Sequence, residues 1–272
     1  MEEIIPIPFV GNVAVEMDDT PPKPHIFIAV PCYGGMCTGF FAQSLIQTVS
    51  ILKANDIEMT VSFLFNESLI QRGRNMLAHQ FMQNEKVTHL MFIDSDIKFN
   101  PADIVHMVKA DKEIICGLYP KKEINWHAVE AAVKAGVHVD KLKTKTGSLV
   151  VNLKGYEGEV TVPAGEPLEI WNGGTGFMLI KREVMAKLKE VLPSYNNDVR
   201  VLSGEVKDRI TEYFACAIEP GVERLLSEDY YFCWKAREHG IRIWAAPWVN
   251  LGHFGSYLFE GGLLPNDNPS AS

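Results

Sequence analysis

Apolar and polar positions alternate between two rhythms along the first half of the chain. His25-Ile26-Phe27-Ile28-Ala29-Val30 is an unbroken apolar run, as expected of a strand covered on both faces. Pro31-Cys32-Tyr33-Gly34-Gly35 ends it, and from about Thr38 to Asn55 the apolar residues Phe41, Leu45, Val49 and Leu52 recur at helical spacing. The alternation repeats with a strand over Glu58 to Phe65 and a helix from about Ile70 to Asn84. A third strand runs through Leu90-Met91-Phe92-Ile93 into a helix that opens at Asn100-Pro101-Ala102-Asp103 and reaches about Ala110. There Asn100 suits the cap, Pro101 the first helical position and Asp103 the helix dipole. Ile114-Ile115-Cys116-Gly117-Leu118-Tyr119 reads as a fourth strand. Roughly four strands with three intervening helices predict an α/β sheet.

The second half changes character. Turns at 145–148, 156–158 and 163–165 separate short Val- and Leu-bearing runs, which predicts antiparallel or mixed β structure. Glu169 to Ile180 joins a Gly-rich bend to a strand, a helix follows from about Arg182 to Leu192, and residues 194–224 carry no clear pattern. Glu228-Asp229 opens a helix closed by Gly240, and Ile241 to Ala245 is a late strand. Before all this, residues 1–24 end in Pro21-Pro22-Lys23-Pro24 and read as an arm, because successive prolines cannot join a ladder. Residues 255–272, rich in Gly, Pro, Asn and Ser, read as a loose tail. The expected organisation is a single domain over 25–254, with halves 25–125 and 126–254.

Composition narrows the partners. With 272 residues, 47% hydrophobic and 22% charged, the chain can bury a sizeable core. A formal net charge of −8 argues against a general grip on nucleic acid, while leaving room for a local basic pocket. The five cysteines are odd in number, and Cys32-x4-Cys37 has no second pair to complete a zinc site, so reduced core thiols are expected. The acidic start, Met1-Glu2-Glu3, is unlike a signal peptide, and no apolar run approaches membrane-spanning length. A soluble chain in a reducing, cytoplasmic compartment is the expectation.

The strongest chemical signal is Asp94-Ser95-Asp96, two carboxylates one residue apart at the end of an apolar run. Unpaired charges against a core strand are costly. In an extended segment they would share a face, so both could reach one hard cation, and oxygen ligands favour Mg²⁺ or Mn²⁺. The alternative is a solvated turn after an edge strand. In an open α/β sheet ligands sit beyond the carboxyl ends of the strands, which here carry Pro31, Cys32 and Tyr33, then Asn66 and Glu67, then Asp94 to Asp96, then Tyr119-Pro120-Lys121-Lys122. Tyr33 can border a base, and Arg72 and Arg74 can meet phosphate or remain on a solvated first turn. Neither Gly-x-Gly-x-x-Gly nor a P-loop follows the first strand, which weakens oxidoreductase and ATPase readings.

Taken in order, strand-Pro-Cys-Tyr, Arg-Gly-Arg-Asn, Phe-Ile-Asp-Ser-Asp, Gly-Gly-Thr-Gly-Phe and Ser-Glu-Asp-Tyr-Tyr-Phe-Cys resemble the GT-A glycosyltransferases over residues 25–254. The likeness is to compact soluble members of the sort found in bacteria and large DNA viruses. It implies a Rossmann-like nucleotide-binding sheet over 25–125 and a smaller mixed-β acceptor half. Asp94 and Asp96 would then hold Mn²⁺ or Mg²⁺ against the diphosphate of a UDP- or GDP-sugar, with His253 as a further ligand. Ser95, Gly173 and Gly174 would lie against the donor. Asp229, beside Glu228, would take the proton of an acceptor hydroxyl on a glycan or small molecule, in an inverting hexosyl transfer. A retaining course, in which Glu228 or Asp229 orients a substrate, stays open. Two rivals remain: a nucleotidyltransferase, and a non-catalytic nucleotide-sugar or carbohydrate-binding protein.

Overall fold

A computed structural model describes residues 23–143, 147, 149, 151–154, 165–197, 200–201, 204–205 and 209–256. Most of the expected arm, the tail beyond residue 256 and nearly all of the turns at 145–148, 156–158 and 163–165 lie outside the described residues.

The expected alternation is present. Strands His25–Cys32 (β1), Glu58–Phe65 (β2) and His89–Ile93 (β3) alternate with helices Gly39–Ala54 (α1) and Ile70–Gln83 (α2). A two-residue strand, Ile97–Lys98 (β4), precedes helix Pro101–Lys109 (α3), where Asn100 accepts the Ala102 N–H at 3.1 Å as a cap should. Strand Ile114–Cys116 (β5) is shorter than expected. Just past its end Gly117 is tightly packed: a Cβ there would stand 2.7 Å from Val249 and 2.8 Å from Phe177. Helices Trp126–Lys134 (α4) and Val139–Leu142 (α5) follow; neither has a buried residue, so the core pattern does not mark them. Beyond them come strands Val151–Leu153 (β6), Leu168–Gly173 (β7) and Phe177–Lys181 (β8), and helices Arg182–Lys189 (α6) and Glu228–Glu238 (α7). Residues 194–224 carry no clear pattern, yet among the described residues Ser194–Asn196 pairs with Arg209–Thr211, and Ala217–Ile218 pairs with Leu225–Leu226 just beyond that stretch.

Among the described residues eight strands form the main sheet, in the order β2-β1-β3-β8-β5, then the late strand Ile243–Ala245, then β7 and β6. β1, β2 and β3 are parallel, and β8 lies antiparallel between β3 and β5. Strand 243–245 runs parallel to β5 and antiparallel to β7. The sheet is therefore mixed, and both halves of the sequence supply strands to it.

Strand alternation sends β3 to two cores. Leu90 and Phe92 join Phe81, Phe214 and Phe232 on the face covered by α2, α6 and α7. Met91 and Ile93 join Phe41, Leu52 and Ile104 on the face covered by α1 and α3. Helix α1 is rotated from the expected stripe: Phe41, Ser44, Thr48 and Leu52 are buried, whereas Val49 is exposed. The Ser44 hydroxyl donates to the Phe99 carbonyl (2.7 Å) and faces the Phe99 N–H (3.2 Å), so two backbone groups leading into α3 draw a polar residue inward.

Candidate active site

β3 ends at Ile93, and Asp94, Ser95 and Asp96 form the turn that joins it to β4. Backbone bonds pin this turn on three sides. The Asp94 N–H donates to Gly176 O (2.9 Å), the Thr38 N–H at the cap of α1 donates to Ser95 O (2.9 Å), and the Phe254 N–H donates to Asp96 O (2.9 Å). Strand Gly252–His253 pairs with β4 and so brings His253 alongside. The turn is thus fixed by elements from both ends of the sequence.

The two carboxylates face different cations. Arg74, on the first turns of α2 and only 3% exposed, donates from Nη2 to Asp94 Oδ1 (3.0 Å) and from Nε to Glu228 Oε1 (3.2 Å). Its guanidinium pKa is raised: Asp94 and Glu228 outweigh the burial that opposes the charge. Asp96 is held by Lys122, whose Nζ lies 2.5 Å from Oδ2. Its other oxygen, Oδ1, is buried without a hydrogen-bond partner and lies 3.5 Å from His253 Nε2. Burial pushes Asp96 up, but the nearby His253 imidazole and the Lys122 ammonium outweigh it and hold the carboxyl below its usual range.

His253 is held in place from behind. Its Nδ1–H donates to the Pro120 carbonyl (2.8 Å), and this bond turns Nε2 toward Asp96. An imidazole nitrogen facing a carboxylate oxygen that has no hydrogen-bond partner suits a cation between them. Among the described residues no group of three or more His, Cys, Asp or Glu side chains is assembled to hold a metal. Asp94 stands apart because Arg74 claims it. The donor set fits a hard ion that draws its remaining ligands from water and phosphate.

Across the cleft, Asp229 lies in the first turn of α7. The Ser227 hydroxyl and the Tyr230 N–H (2.8 Å) both donate to Oδ1, leaving Oδ2 uncommitted among the described residues. Burial first, and neighbouring Glu228 second, raise the Asp229 carboxyl pKa above its usual value. Tyr119 forms the floor: it accepts the Gly176 N–H (3.2 Å) and meets the His253 ring edge-on at 5.2 Å.

A cleft of about 1120 Å³ collects most of the expected residues: Pro31, Cys32, Tyr33, Glu67, Arg74, Asp94, Ser95, Asp96, Glu228, Asp229 and His253. Four others do not line it. Asn66 takes a positive φ of 60° in the turn after β2, a conformation Asn tolerates. Arg72 pairs with Glu67 through two bonds of 2.7 and 2.8 Å, so it organises the wall from behind. Gly173 and Gly174 answer to packing: a Cβ would stand 2.3 Å from Cys116 Sγ at the first and 2.1 Å from Tyr119 Oη at the second. Trp171 is capped by Lys154 and Arg237 and is also outside the cleft. The cleft adds Thr38, Tyr119, Lys122 and Phe254. Of these, Tyr119 and Lys122 were signalled only by their place after a strand end.

Cys32, Cys116 and Cys233 are buried as core residues, whereas Cys37 and Cys216 are exposed, against the expectation of core thiols. Among the described residues no helix is long and apolar enough to cross a membrane.

No family model matches the chain, and no curated protein does. Among solved structures, A197 from STIV is similar at a TM-score of 0.44 and 19% identity, over 86% of this chain and 86% of that one. GalNAc-T7, crystallised with UDP, GalNAc and Mn²⁺, is similar at 0.41 and 12% identity, over 86% of this chain and 44% of that one. S. aureus TarS 1–349, in complex with UDP-GlcNAc, is similar at 0.34 and 13% identity, over 82% of this chain and 55% of that one. The chain thus spans less than two thirds of the latter two. With all three scores below 0.5, these likenesses assign neither activity nor ligand.

Proposed function

We propose that the protein is a GT-A glycosyltransferase moving a sugar from a UDP- or GDP-sugar to a hydroxyl of a glycan or small acceptor, with a divalent cation. The observation that carries this reading is the Asp96–His253 pair, an unpartnered carboxylate oxygen facing an imidazole nitrogen, in one cleft with Asp229. The ordered motifs between residues 25 and 254 support the same reading.

In this mechanism Tyr33, 75% exposed at the mouth of the cleft, offers a ring face to the nucleotide base. Asp96 and His253, with Asp94 completing the turn, would hold Mn²⁺ or Mg²⁺. When bound, the ion would offset the charge that develops on the departing nucleoside diphosphate. Arg74 keeps Asp94 and Glu228 at a fixed separation. Asp229 accepts the acceptor hydroxyl's proton at Oδ2 while that oxygen bonds to the anomeric carbon and the bond to the diphosphate breaks. One displacement inverts the configuration.

The test is a panel of nucleotide sugars incubated with the protein and Mn²⁺, scored for the released nucleotide. Release of nucleoside diphosphate with at least one donor is expected, and it should be lost in Asp96→Ala. Pyrophosphate release would identify a nucleotidyltransferase. Donor binding without turnover across a broad acceptor panel would identify a binding protein.

A further inference from the structure

Lys122 stands where two demands meet. Its ammonium sits 2.5 Å from Asp96 Oδ2, on the carboxylate that the proposed function assigns to a divalent ion. It is also half exposed, at 43%, and lines the cleft that would receive the diphosphate. A lysine is a compact point charge on a flexible four-carbon stem, able to move between anionic partners without backbone change. Its backbone follows Pro120, whose carbonyl orients His253, so the lysine and the imidazole approach Asp96 from one segment. Asp96 cannot keep a 2.5 Å ammonium and take a doubly charged ion beside it without strong repulsion between the two cations.

We propose that Lys122 is an exchangeable counter-ion of Asp96, neutralising the carboxylate when no divalent ion is bound and passing to the donor's diphosphate when one is. This rests on the metal-assisted reading above. The exchange has two consequences. Metal binding to the free protein competes with the lysine and is weakened by it. Diphosphate binding to the metal-loaded protein is strengthened by it, so metal and nucleotide favour each other's binding.

The test uses Mn²⁺ and UDP as probes, with binding read by paramagnetic resonance and calorimetry, independent of turnover. In Lys122→Met, Mn²⁺ alone should bind about five-fold tighter than in the unaltered protein, the scale of one partly exposed ion pair. UDP at saturating Mn²⁺ should bind weaker by a similar factor. Lys121→Met, the neighbouring exposed lysine, controls for the general loss of a positive charge and should change neither value by as much as two-fold. The proposal is overturned if Lys122→Met binds Mn²⁺ no more tightly, or if Lys121→Met matches it. Absence of Mn²⁺ binding in all three proteins, with UDP present, would instead remove the metal-assisted reading and the exchange with it.

Discussion

Asp229 carries a cost that a purely structural residue would have no reason to keep. Burial and the adjacent Glu228 raise its pKa, while Ser227 and Arg74 oppose them without cancelling the shift. A raised carboxyl binds its proton more tightly in the folded chain than in the unfolded one. Its contribution to stability is therefore fully present below the unfolded pKa and is lost as pH rises through the folded pKa. Asp229→Asn removes the charge and keeps an oxygen for the Ser227 and Tyr230 donors. The variant is expected to melt about 2–4 °C above the unaltered protein near neutral pH, the gap closing toward about pH 4 as the natural carboxyl protonates. Transfer should fall by about 10²-fold or more while donor binding persists. Equal melting temperatures near neutral pH, or near-normal transfer, would remove the base assignment. At this scale the sequence announces Asp94 and Asp96, because two charges ending an apolar run are costly unless something binds them. It marks Lys122 only by its place after a strand end and gives no sign of its partner, because the contact with Asp96 spans 26 positions. Gly173 and Gly174 are visible for the wrong reason: Cys116 and Tyr119 require them, and those contacts lie far away in sequence.

The elements meet at Arg74. One side chain of α2 bonds the turn after β3 and the start of α7, and its guanidinium also lies over the Phe92 ring at 5.3 Å. Removing a buried cation strands both carboxylates, whereas removing a partner at the rim costs little. Arg74→Met is expected to lower the unfolding free energy by about 2–4 kcal/mol in urea denaturation, below the fully buried case because Asp94 and Glu228 keep partial solvent access. Arg74→Lys should recover only part of this, since an ammonium lacks the fork that spans two acceptors. A loss below about 0.5 kcal/mol in Arg74→Met would mean that the three elements are not coupled through it. Element ends near Asn100, Pro101 and Gly240 are legible because cap chemistry is local: Gly240 takes a φ of 73° and closes α7. The rotation of α1 is not legible, since it depends on backbone groups at Phe99 that reach Ser44 across 55 positions.

At the scale of the molecule, the same distinction governs topology. The βα alternation of the first half is readable because each unit folds against its neighbour in sequence. The insertion of β8 between β3 and β5, and of strand 243–245 between β5 and β7, has no counterpart in any local pattern. Phe177, Met178, Leu179 and Ile180 on β8 are buried within the two cores shared with β3 and β5. The division at residue 125 therefore passes through a sheet whose middle strand comes from the later half. A chain ending at residue 125 would leave β3 and β5 without the partner that separates them, exposing apolar edges that favour aggregation. It would also lack Gly176 and His253, which meet the Asp94–Asp96 turn. Such a fragment is expected to show no cooperative thermal transition by circular dichroism and to bind UDP no better than the unfolded chain. Adding residues 126–272 as a separate chain should restore both, because the missing strands then return. A cooperative melt from the fragment alone would show that the first half holds its own core, and that the cleft forms by docking two units rather than by completing one sheet.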